Sequence, residues 1–421
     1  MNGMDEQEKG FYDDCNDFWK VNVVPRCDIA SLSSILFLKN YVMMNKPVII
    51  TNALIDFPIM QKISNDPYEY FLSKELDKDC TINYSPFGNA DSIIDADTNN
   101  PKFVLPYEKK TSFYDFLNDI MKQNDKNDKN SDNGGDDNVR SDWVPYLSAQ
   151  NDSLRHEFKE LNGDVPLQPQ GLLKPVFDAL GNIEAINLWI GDARSTTATH
   201  KDFFENIYCV LHGQKHFTLF PPCDVGYLYE KKYPVYRYEP NIATTTVTAT
   251  TIDDSDENTV NDYNSCKNIV INGDGRNKNG KIELIAKPVL QETNNNNTDY
   301  NSSNTDTNND DDNDNNKQKE RESEGEHQYT SWVSIDAASP AGVDLKKYPL
   351  YEHARPVHVT VNKGEVLYIP SQWYHSVKQS PSPEQLSNPL VVAVNYWHEM
   401  EFGVTHCAAN VARRFAGLST F

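Results

Sequence analysis

The sequence lacks several features that would assign it to common classes of protein. Its 421 residues contain no apolar run of transmembrane length and no basic-then-apolar N-terminal segment, so we expect neither a membrane anchor nor a secretory signal. Basic side chains are scarce: 39 Lys and Arg face 62 Asp and Glu, a net charge of −23. Because the nucleic-acid backbone is bound by clustered basic side chains, we expect no direct nucleic-acid binding. A cationic partner, such as a lysine-bearing protein, suits this charge.

Patterned cysteines and nucleophile motifs are also lacking. The seven cysteines are scattered and never spaced as C-x-x-C, which argues against a disulfide framework or a structural zinc site. We therefore expect a reducing setting, the cytoplasm or the nucleus. There is no G-x-S-x-G motif, and the glycine-rich stretch 273–281 lacks the G-K-[ST] of a phosphate-binding loop.

Two segments have a composition unlike that of a globular domain. Residues 122–138 are polar, and residues 244–328 are rich in Asn and Asp, with 18 acidic and 8 basic side chains. Such sequence buries too little apolar surface to offset the entropy lost on ordering, so we expect both to be disordered inserts. The runs "KNIVINGDG" and "KIELIAKPVL" are candidate short strands within the second insert. The expected organisation is a partly disordered lead-in, residues 1–20, and one folded domain, residues 21–243 and 329–421, which the two inserts interrupt.

The rest of the chain predicts a mainly β fold with an N-terminal helical region and flanking helices. "SLSSILFLKNYVMMNK" has a helical apolar stripe that ends near Asn45, and a buried strand follows it. From residue 185 onward, short β-branched and aromatic runs alternate with Gly, Pro and Asn, as in "AINLWIG", "NIYCVLHG", "KHFTLFPP" and "LVVAVNYWHEM". The simplest architecture is a double-stranded β-helix, the jelly roll of the cupins.

One short motif, His200-Lys201-Asp202, has the spacing of a metal-binding pair. Residues i and i+2 of a strand point to the same face, so His200 and Asp202 would converge while Lys201 turns away. An imidazole and a carboxylate are two-thirds of the facial triad that holds Fe(II). An exposed strand with no metal is the alternative, because the motif alone is common.

Two further residues strengthen the metal-site interpretation. His375, in "GEVLYIPSQWYHSV", follows a Pro-forced bend at the start of a late strand that a closed jelly roll would bring opposite the first pair. Its alternative role is that of a core histidine. Gly213 predicts a tight hairpin that returns Lys215 beside the ligand strand. A buried lysine needs an anion, such as a small carboxylate ligand, whereas a lysine at the end of a hairpin could simply be exposed.

Four more residues are candidates for the same pocket. Asn395 lies between apolar neighbours and must find partners if it is buried, and Trp397 shares its strand face. Thr197 and Asn206 flank the H-x-D motif and could face the pocket. Each of the four is more often structural when judged alone.

These residues give the chain a resemblance to the JmjC family of Fe(II)- and 2-oxoglutarate-dependent oxygenases, and more narrowly to its lysyl hydroxylases. The resemblance is densest in "INLWIGDARSTTATHKDFFENIYCVLHGQKHFTLFPP" and continues through "GEVLYIPSQWYHSV" and "VAVNYWHEME". The resemblance covers most of the chain outside the two inserts. Matches over such long stretches of sequence are far more specific for a family than the H-x-D motif alone.

The resemblance implies a role for each candidate residue. His200, Asp202 and His375 match the iron ligands, and Lys215 matches the lysine that pairs with the distal carboxylate of 2-oxoglutarate. The remaining matches are hydroxyl groups that bind this cosubstrate, pocket asparagines and an aromatic wall: Thr197 and Tyr146, Asn206 and Asn395, and Trp397.

The implied reaction consumes O2 and 2-oxoglutarate and hydroxylates an unactivated C–H bond. In the lysyl hydroxylases that the chain resembles, the substrate is a lysine of developmentally regulated GTP-binding proteins, hydroxylated at C-3. A homodimer built through the C-terminal tail is an assembly that several relatives use. A histone demethylase or histone-tail peptidase is the first alternative, and a non-catalytic cupin-like binding protein is the second. Demethylases of the family usually carry H-x-E and zinc or reader modules, whereas the acid here is Asp202.

Overall fold

The computed structural model describes residues 6–63, 66–74, 76, 78–94, 99–125, 143–240, 284–290, 328–335, 343–384 and 386–419. The α-helices of the described residues lie within the first 180 residues, interspersed with short strands, and at the C-terminus: α1 Glu6–Trp19, α2 Ser34–Phe37, α3 Pro58–Lys62, α4 Pro67–Leu72, α5 Phe113–Asp125, α6 Ser153–His156, α7 Lys174–Leu180 and α8 Val404–Phe415. Within the described ranges, no helix is long and apolar enough to cross a membrane.

The strands of the N-terminal half are mostly short. They are β1 Arg26–Asp28, β2 Val48–Thr51, β3 Asp79–Ser85, β4 Asn89–Ala90, β5 Ser92–Ile94, β6 Lys102–Leu105, β7 Tyr107–Ser112, β8 Val144–Tyr146, β9 Ile183–Gly191 and β10 Thr196–Lys201. The later strands are β11 Phe204–His212, β12 Gln214–Phe220, β13 Glu230–Pro240, β14 Leu284–Pro288, β15 Tyr329–Val333, β16 Val357–Asn362, β17 Val366–Ile369, β18 Tyr374–Ser380 and β19 Val391–Glu399.

Two sheets form the centre of the molecule. One has the order β1-β2-β17-β11-β19-β9 and the other has the order β16-β12-β18-β10-β4. Alternation along β11 divides its side chains: Tyr208 and Val210 join the cluster between the two sheets, whereas Ile207 and Cys209 join the cluster under the helices. The predicted jelly roll with an N-terminal helical region is confirmed.

Smaller sheets extend this frame on one side. The strands β14, β13, β6 and β5 form one sheet, and β15 pairs with β13 along the register Glu230↔Val333 to Pro234↔Tyr329. A further sheet has the order β7-β3-β8. At the C-terminus, α8 packs against the 3₁₀ turn Pro222–Gly226. Homodimerisation through this tail stays a prediction.

The turn at Gly213 differs from the predicted hairpin. Gly213 has a φ of 76°, and a Cβ atom there would lie 2.9 Å from Val391 Cγ2, so glycine is required. The turn carries the chain from one sheet to the other, so β11 and β12 do not pair. Instead β12 pairs with β16 and β18, and β10 lies beyond β18. Lys215 therefore returns beside the strand of His375, and the expectation that it lies beside the strand of His200 is wrong.

The predicted inserts fall largely outside the described residues. Helix α5 continues to Asp125, so the first four residues of the segment 122–138 are helical, and the rest of that segment is not described. Within 244–328 the structure has β14, part of the run "KIELIAKPVL", paired with β13. The run "KNIVINGDG" lies outside the described residues. The lead-in, residues 1–20, contains α1, and its first five residues are not described.

Candidate metal centre

The antiparallel pairing of β10 with β18 sets the geometry of the site. His200 lies directly opposite His375, and Lys201 lies opposite Tyr374. A register irregularity between Thr197 and His200 changes the direction of β10 just before the first histidine. As a result the two imidazole ring centroids are 4.4 Å apart, although 174 residues separate the side chains along the chain.

Asp202 completes a three-residue group at the end of β10. Its backbone carbonyl accepts a hydrogen bond of 2.8 Å from the amide of Gln372, which fixes it beside the turn that leads to His375. Its two carboxylate oxygens are each 3.6 Å from a histidine Nε2, Oδ1 from His200 and Oδ2 from His375. One donor atom from each of the three residues lies within 4.8 Å of the others, which fits a single metal ion.

Both histidines are oriented by their own strands. The Nδ1–H of His200 donates to the carbonyl of Ala198 at 2.9 Å, and that of His375 donates to the carbonyl of Trp373 at 3.0 Å. Because a carbonyl can only accept, the proton must reside on Nδ1. The lone pair of each Nε2 is thus directed toward Asp202, the tautomer that a metal-binding histidine needs.

Burial favours the neutral state of the second histidine. Desolvation lowers the pKa of His375 to about 4, and the neighbouring His200 acts in the same direction. A metal binds neutral imidazole, so no proton has to leave His375 at neutral pH. The donor set of two imidazoles and one carboxylate, with one side open to a cavity, is the set that non-haem Fe(II) prefers.

A cavity adjoins these three residues, and the other pocket candidates line it. Thr197, Asn206, Asn395 and Trp397 all line it: alternation puts Asn395 and Trp397 on one face, and the register irregularity lets Thr197 join His200. Its remaining walls are Gln150, Trp189, Tyr208, Phe217 and Val377. Sequence reasoning missed these five, although Tyr208 and Phe217 follow the candidates Asn206 and Lys215 by two residues on their strands.

The two predicted asparagines form a buried chain of hydrogen bonds. Trp189 Nε1 donates to Asn395 Oδ1 at 2.8 Å, and Asn395 Nδ2 donates to Asn206 Oδ1 at 3.2 Å. This chain satisfies the buried amide of Asn395 and ties three strands together at the cavity wall. Trp397 stacks on Phe204 with ring centroids 4.6 Å apart and closes one end of the cavity.

Lys215 is fully buried, with its ammonium 5.9 Å from the ring centroid of Tyr208, which lines the cavity. Its ammonium donates to Tyr146 Oη at 3.2 Å and to Gln379 Oε1, and Tyr146 is hydrogen-bonded to Thr197. Among the described residues no carboxylate forms an ion pair with it. Desolvation lowers the pKa of Lys215 to about 7. A buried cation with only neutral partners is a receptor for an anion, which excludes the exposed hairpin-end alternative.

The outer side of His200 carries two features that the sequence did not reveal. Trp332 of β15 is parallel to the His200 ring, with an interplanar angle of 4° and centroids 6.0 Å apart. Trp332 also lines a second cavity, which shares Thr197 with the first. Asp91, the chain neighbour of Ser92 in that cavity wall, makes no hydrogen bond to any described residue; burial raises its pKa to about 6, while the neighbouring His200 and Arg237 oppose that shift. Trp332 was missed because it follows the long insert.

Comparison with known proteins identifies the family. The family model described as a cupin-like domain matches residues 34–404. The chain is 28% identical to JmjC domain-containing protein E of Dictyostelium discoideum, over 93% of this chain and 88% of that protein. It is 28% identical to lysine-specific demethylase JMJ32 of Arabidopsis thaliana, over 90% and 82% of the two chains. It is 24% identical to bifunctional peptidase and (3S)-lysyl hydroxylase JMJD7 of Homo sapiens, over 88% and 82%.

The metal site can be tested without any substrate. We expect His200→Ala to weaken Mn(II) binding, measured by calorimetry, by more than about 100-fold. Loss of a group that only orients a metal ligand weakens binding by up to about 100-fold, and loss of a ligand should weaken it more. The control is His216→Gln on β12, whose imidazole hydrogen-bonds Thr360 and Ser380 away from the three ligands. Equal Mn(II) affinity in the His200 variant and the wild-type protein would contradict the site.

Proposed function

The chain belongs to the cupin-like family in its JmjC form, a family of 2-oxoglutarate-dependent oxygenases, and we propose that this member hydroxylates a lysine side chain of a protein. The observation that carries the proposal is the convergence of His200, Asp202 and His375 on one point, with the buried ammonium of Lys215 in the same sandwich. A binding protein without turnover would need neither a complete ligand set nor an unpaired buried cation.

Different residues of the site would hold the metal and the cosubstrate. We assign the Fe(II) to His200, Asp202 and His375, and with O2 and 2-oxoglutarate this metal would supply the oxidation of a C–H bond to C–OH, with release of succinate and CO2. Lys215 would bind the distal carboxylate of 2-oxoglutarate, because an ion pair restores the charge stabilisation that burial removes. The hydroxyls of Tyr146 and Thr197, which are hydrogen-bonded to each other, would hydrogen-bond the same group.

The cavity walls would protect the reaction from water. Trp189, Tyr208, Phe217 and Trp397 present aromatic surfaces, and the Asn206–Asn395 hydrogen bond keeps the polar part of the wall in place. A dry pocket suppresses unproductive turnover of the cosubstrate and strengthens the electrostatic contacts that orient it.

A lysine substrate is supported by relatives and by local chemistry. The names of two relatives, a lysine-specific demethylase and a (3S)-lysyl hydroxylase, both concern lysine. On the outer side of His200, an ammonium would meet the ring of Trp332 and the carboxylate of Asp91. An aromatic face and a carboxylate are the two groups that stabilise a bound cation. We propose a GTP-binding protein of the developmentally regulated class as the bearer of the lysine.

Demethylation is the second candidate, favoured by the 28% identity to the demethylase JMJ32. Hydroxylation of an N-methyl group would release the methyl carbon as formaldehyde, with the same consumption of O2 and 2-oxoglutarate. The two reactions leave different products on the peptide, so one assay separates them.

The assay for the proposed activity combines the protein, Fe(II), 2-oxoglutarate, ascorbate and a lysine peptide from a GTP-binding protein. We expect the peptide to gain the mass of one oxygen atom, located by fragmentation at C-3 of lysine, with one succinate per hydroxylation. A parallel trimethyl-lysine histone peptide should keep its methyl groups. Methyl loss from that peptide, with no oxygen gain on the first, would reverse the assignment.

Asp91 should control affinity for the cationic substrate. Because a charge-assisted hydrogen bond contributes about 1.5–3 kcal/mol, we expect Asp91→Asn to raise the KM for the peptide by about tenfold or more. The succinate formed without peptide should not change. The matched control is Glu239→Gln, because Glu239 of β13 is an acid that pairs with Lys287 of β14 at 2.7 Å. A similar KM for both variants would refute the role of Asp91.

Cosubstrate affinity should fall as the pH rises. Burial lowers the pKa of Lys215 to about 7, so the lysine is charged below this pH and mostly neutral above it. A dicarboxylate binds the charged form, and the dissociation constant for 2-oxoglutarate should therefore rise toward tenfold per pH unit above about pH 7. Calorimetry with Mn(II) in place of iron measures it. Lys215→Arg, which stays charged, should bind with a flat pH profile, and a flat wild-type profile would contradict the prediction.

A further inference from the structure

A buried carboxylate lies on the side of β10 and β18 away from the metal ligands. Glu230, the first residue of β13, accepts hydrogen bonds from three side chains. Lys201 Nζ donates to Oε2 at 2.9 Å, Tyr374 Oη donates to Oε2 at 2.7 Å, and Arg413 Nη1 donates to Oε1 at 2.7 Å. Lys201 Nζ also donates to Tyr374 Oη at 2.8 Å. We call these four residues the Glu230 cluster.

Two members of the Glu230 cluster are direct chain neighbours of the metal ligands. Lys201 lies between His200 and Asp202, and Tyr374 precedes His375. Lys201 lies opposite Tyr374 in the pairing of β10 with β18, and this pair is adjacent to the opposed pair His200 and His375. Because side chains alternate along a strand, the histidines project toward the metal while their neighbours project toward Glu230.

The Glu230 cluster is almost completely removed from water. The side chains of Lys201, Glu230 and Arg413 are 10%, 3% and 4% exposed. Buried charges are tolerated only in good mutual geometry, and displacing one strand would leave at least one charge without its partner. The cluster therefore resists sliding of β10 against β18, the displacement that would separate His200 and Asp202 from His375.

From this geometry we infer that Glu230 is a positioning residue for the metal centre: it fixes the relative position of β10 and β18, and through Arg413 it links α8 to that position. The inference rests on the proposed metal site and holds for either of the proposed reactions. No cluster member touches the metal, so the effect passes through the backbone between neighbouring residues.

The chain offers a matched control in a second buried carboxylate. Asp164, with a side chain 4% exposed, pairs with Lys62 and Lys74 and accepts a hydrogen bond of 2.7 Å from Tyr70 Oη. It thus has the same partner set as Glu230, two cations and one phenol. Its partners belong to or follow the helices α3 and α4 and include no neighbour of a metal ligand.

The test compares Glu230→Gln with Asp164→Asn in the full-length protein. Both substitutions should lower the melting temperature of the metal-free protein, because each removes a buried charge from its partners. Only Glu230→Gln should also weaken Mn(II) binding, by about tenfold, the lower end of the range for groups that orient metal ligands. The electron paramagnetic resonance spectrum of bound Mn(II) should broaden in that variant alone. Unchanged affinity in Glu230→Gln, or equal loss in both variants, would overturn the inference.

A milder substitution keeps the test decisive if Glu230→Gln does not fold. Tyr374→Phe removes one hydroxyl and leaves the ring that packs at 4.7 Å from Lys201 Nζ. We expect a smaller loss of Mn(II) affinity, about threefold, with Tyr70→Phe as its control.

Mn(II) binding needs no substrate, so a wild-type protein that binds Mn(II) but hydroxylates nothing refutes the proposed function without affecting this inference. No Mn(II) binding by the wild-type protein would refute both.

Discussion

The pairing of β10 with β18 is the constraint on which the site depends. It places His200 opposite His375 and fixes the face on which Asp202 joins them. A shift of one residue in this register would turn one imidazole to the far side of the sheet, because side chains alternate with a period of two. The rest of the fold holds that register: β12 and β4 flank the two strands, and the core between the sheets packs against their inner face.

The metal-binding motif and most of the pocket could be predicted from the sequence because they follow from strand alternation. His200 and Asp202 share a face through their spacing of two, and the same rule aligns Asn395 with Trp397. The turn and bend residues made His375 and Lys215 candidates, and the resemblance to the family then assigned their roles and added Tyr146. The fold class was equally accessible, since short β-branched runs between turn residues leave few architectures.

The features that the sequence did not reveal all depend on contacts between distant segments. Gly213 was correctly recognised as a turn, but only the closed sandwich shows that the turn crosses between sheets. Trp332 and Glu230 lie on the paired strands β15 and β13, and β13 was not predicted as a strand. This strand pair reaches both sides of β10: Trp332 stacks on His200, and Glu230 binds Lys201.

The pairing of β13 with β15 also affects where residues can be inserted or lost during evolution. Pro234 of β13 lies opposite Tyr329 of β15, and the amide of Val235 donates to the carbonyl of Gln328 at 2.8 Å, so the ends of the intervening sequence are held together. The entropy of closing a loop grows only with the logarithm of its length. Residues outside β13 and β14 can therefore be gained or lost between these anchors at little cost in stability, at a position near the strand whose Trp332 stacks on His200. The insert is a place where relatives could acquire different partner specificities while the oxidising centre stays the same.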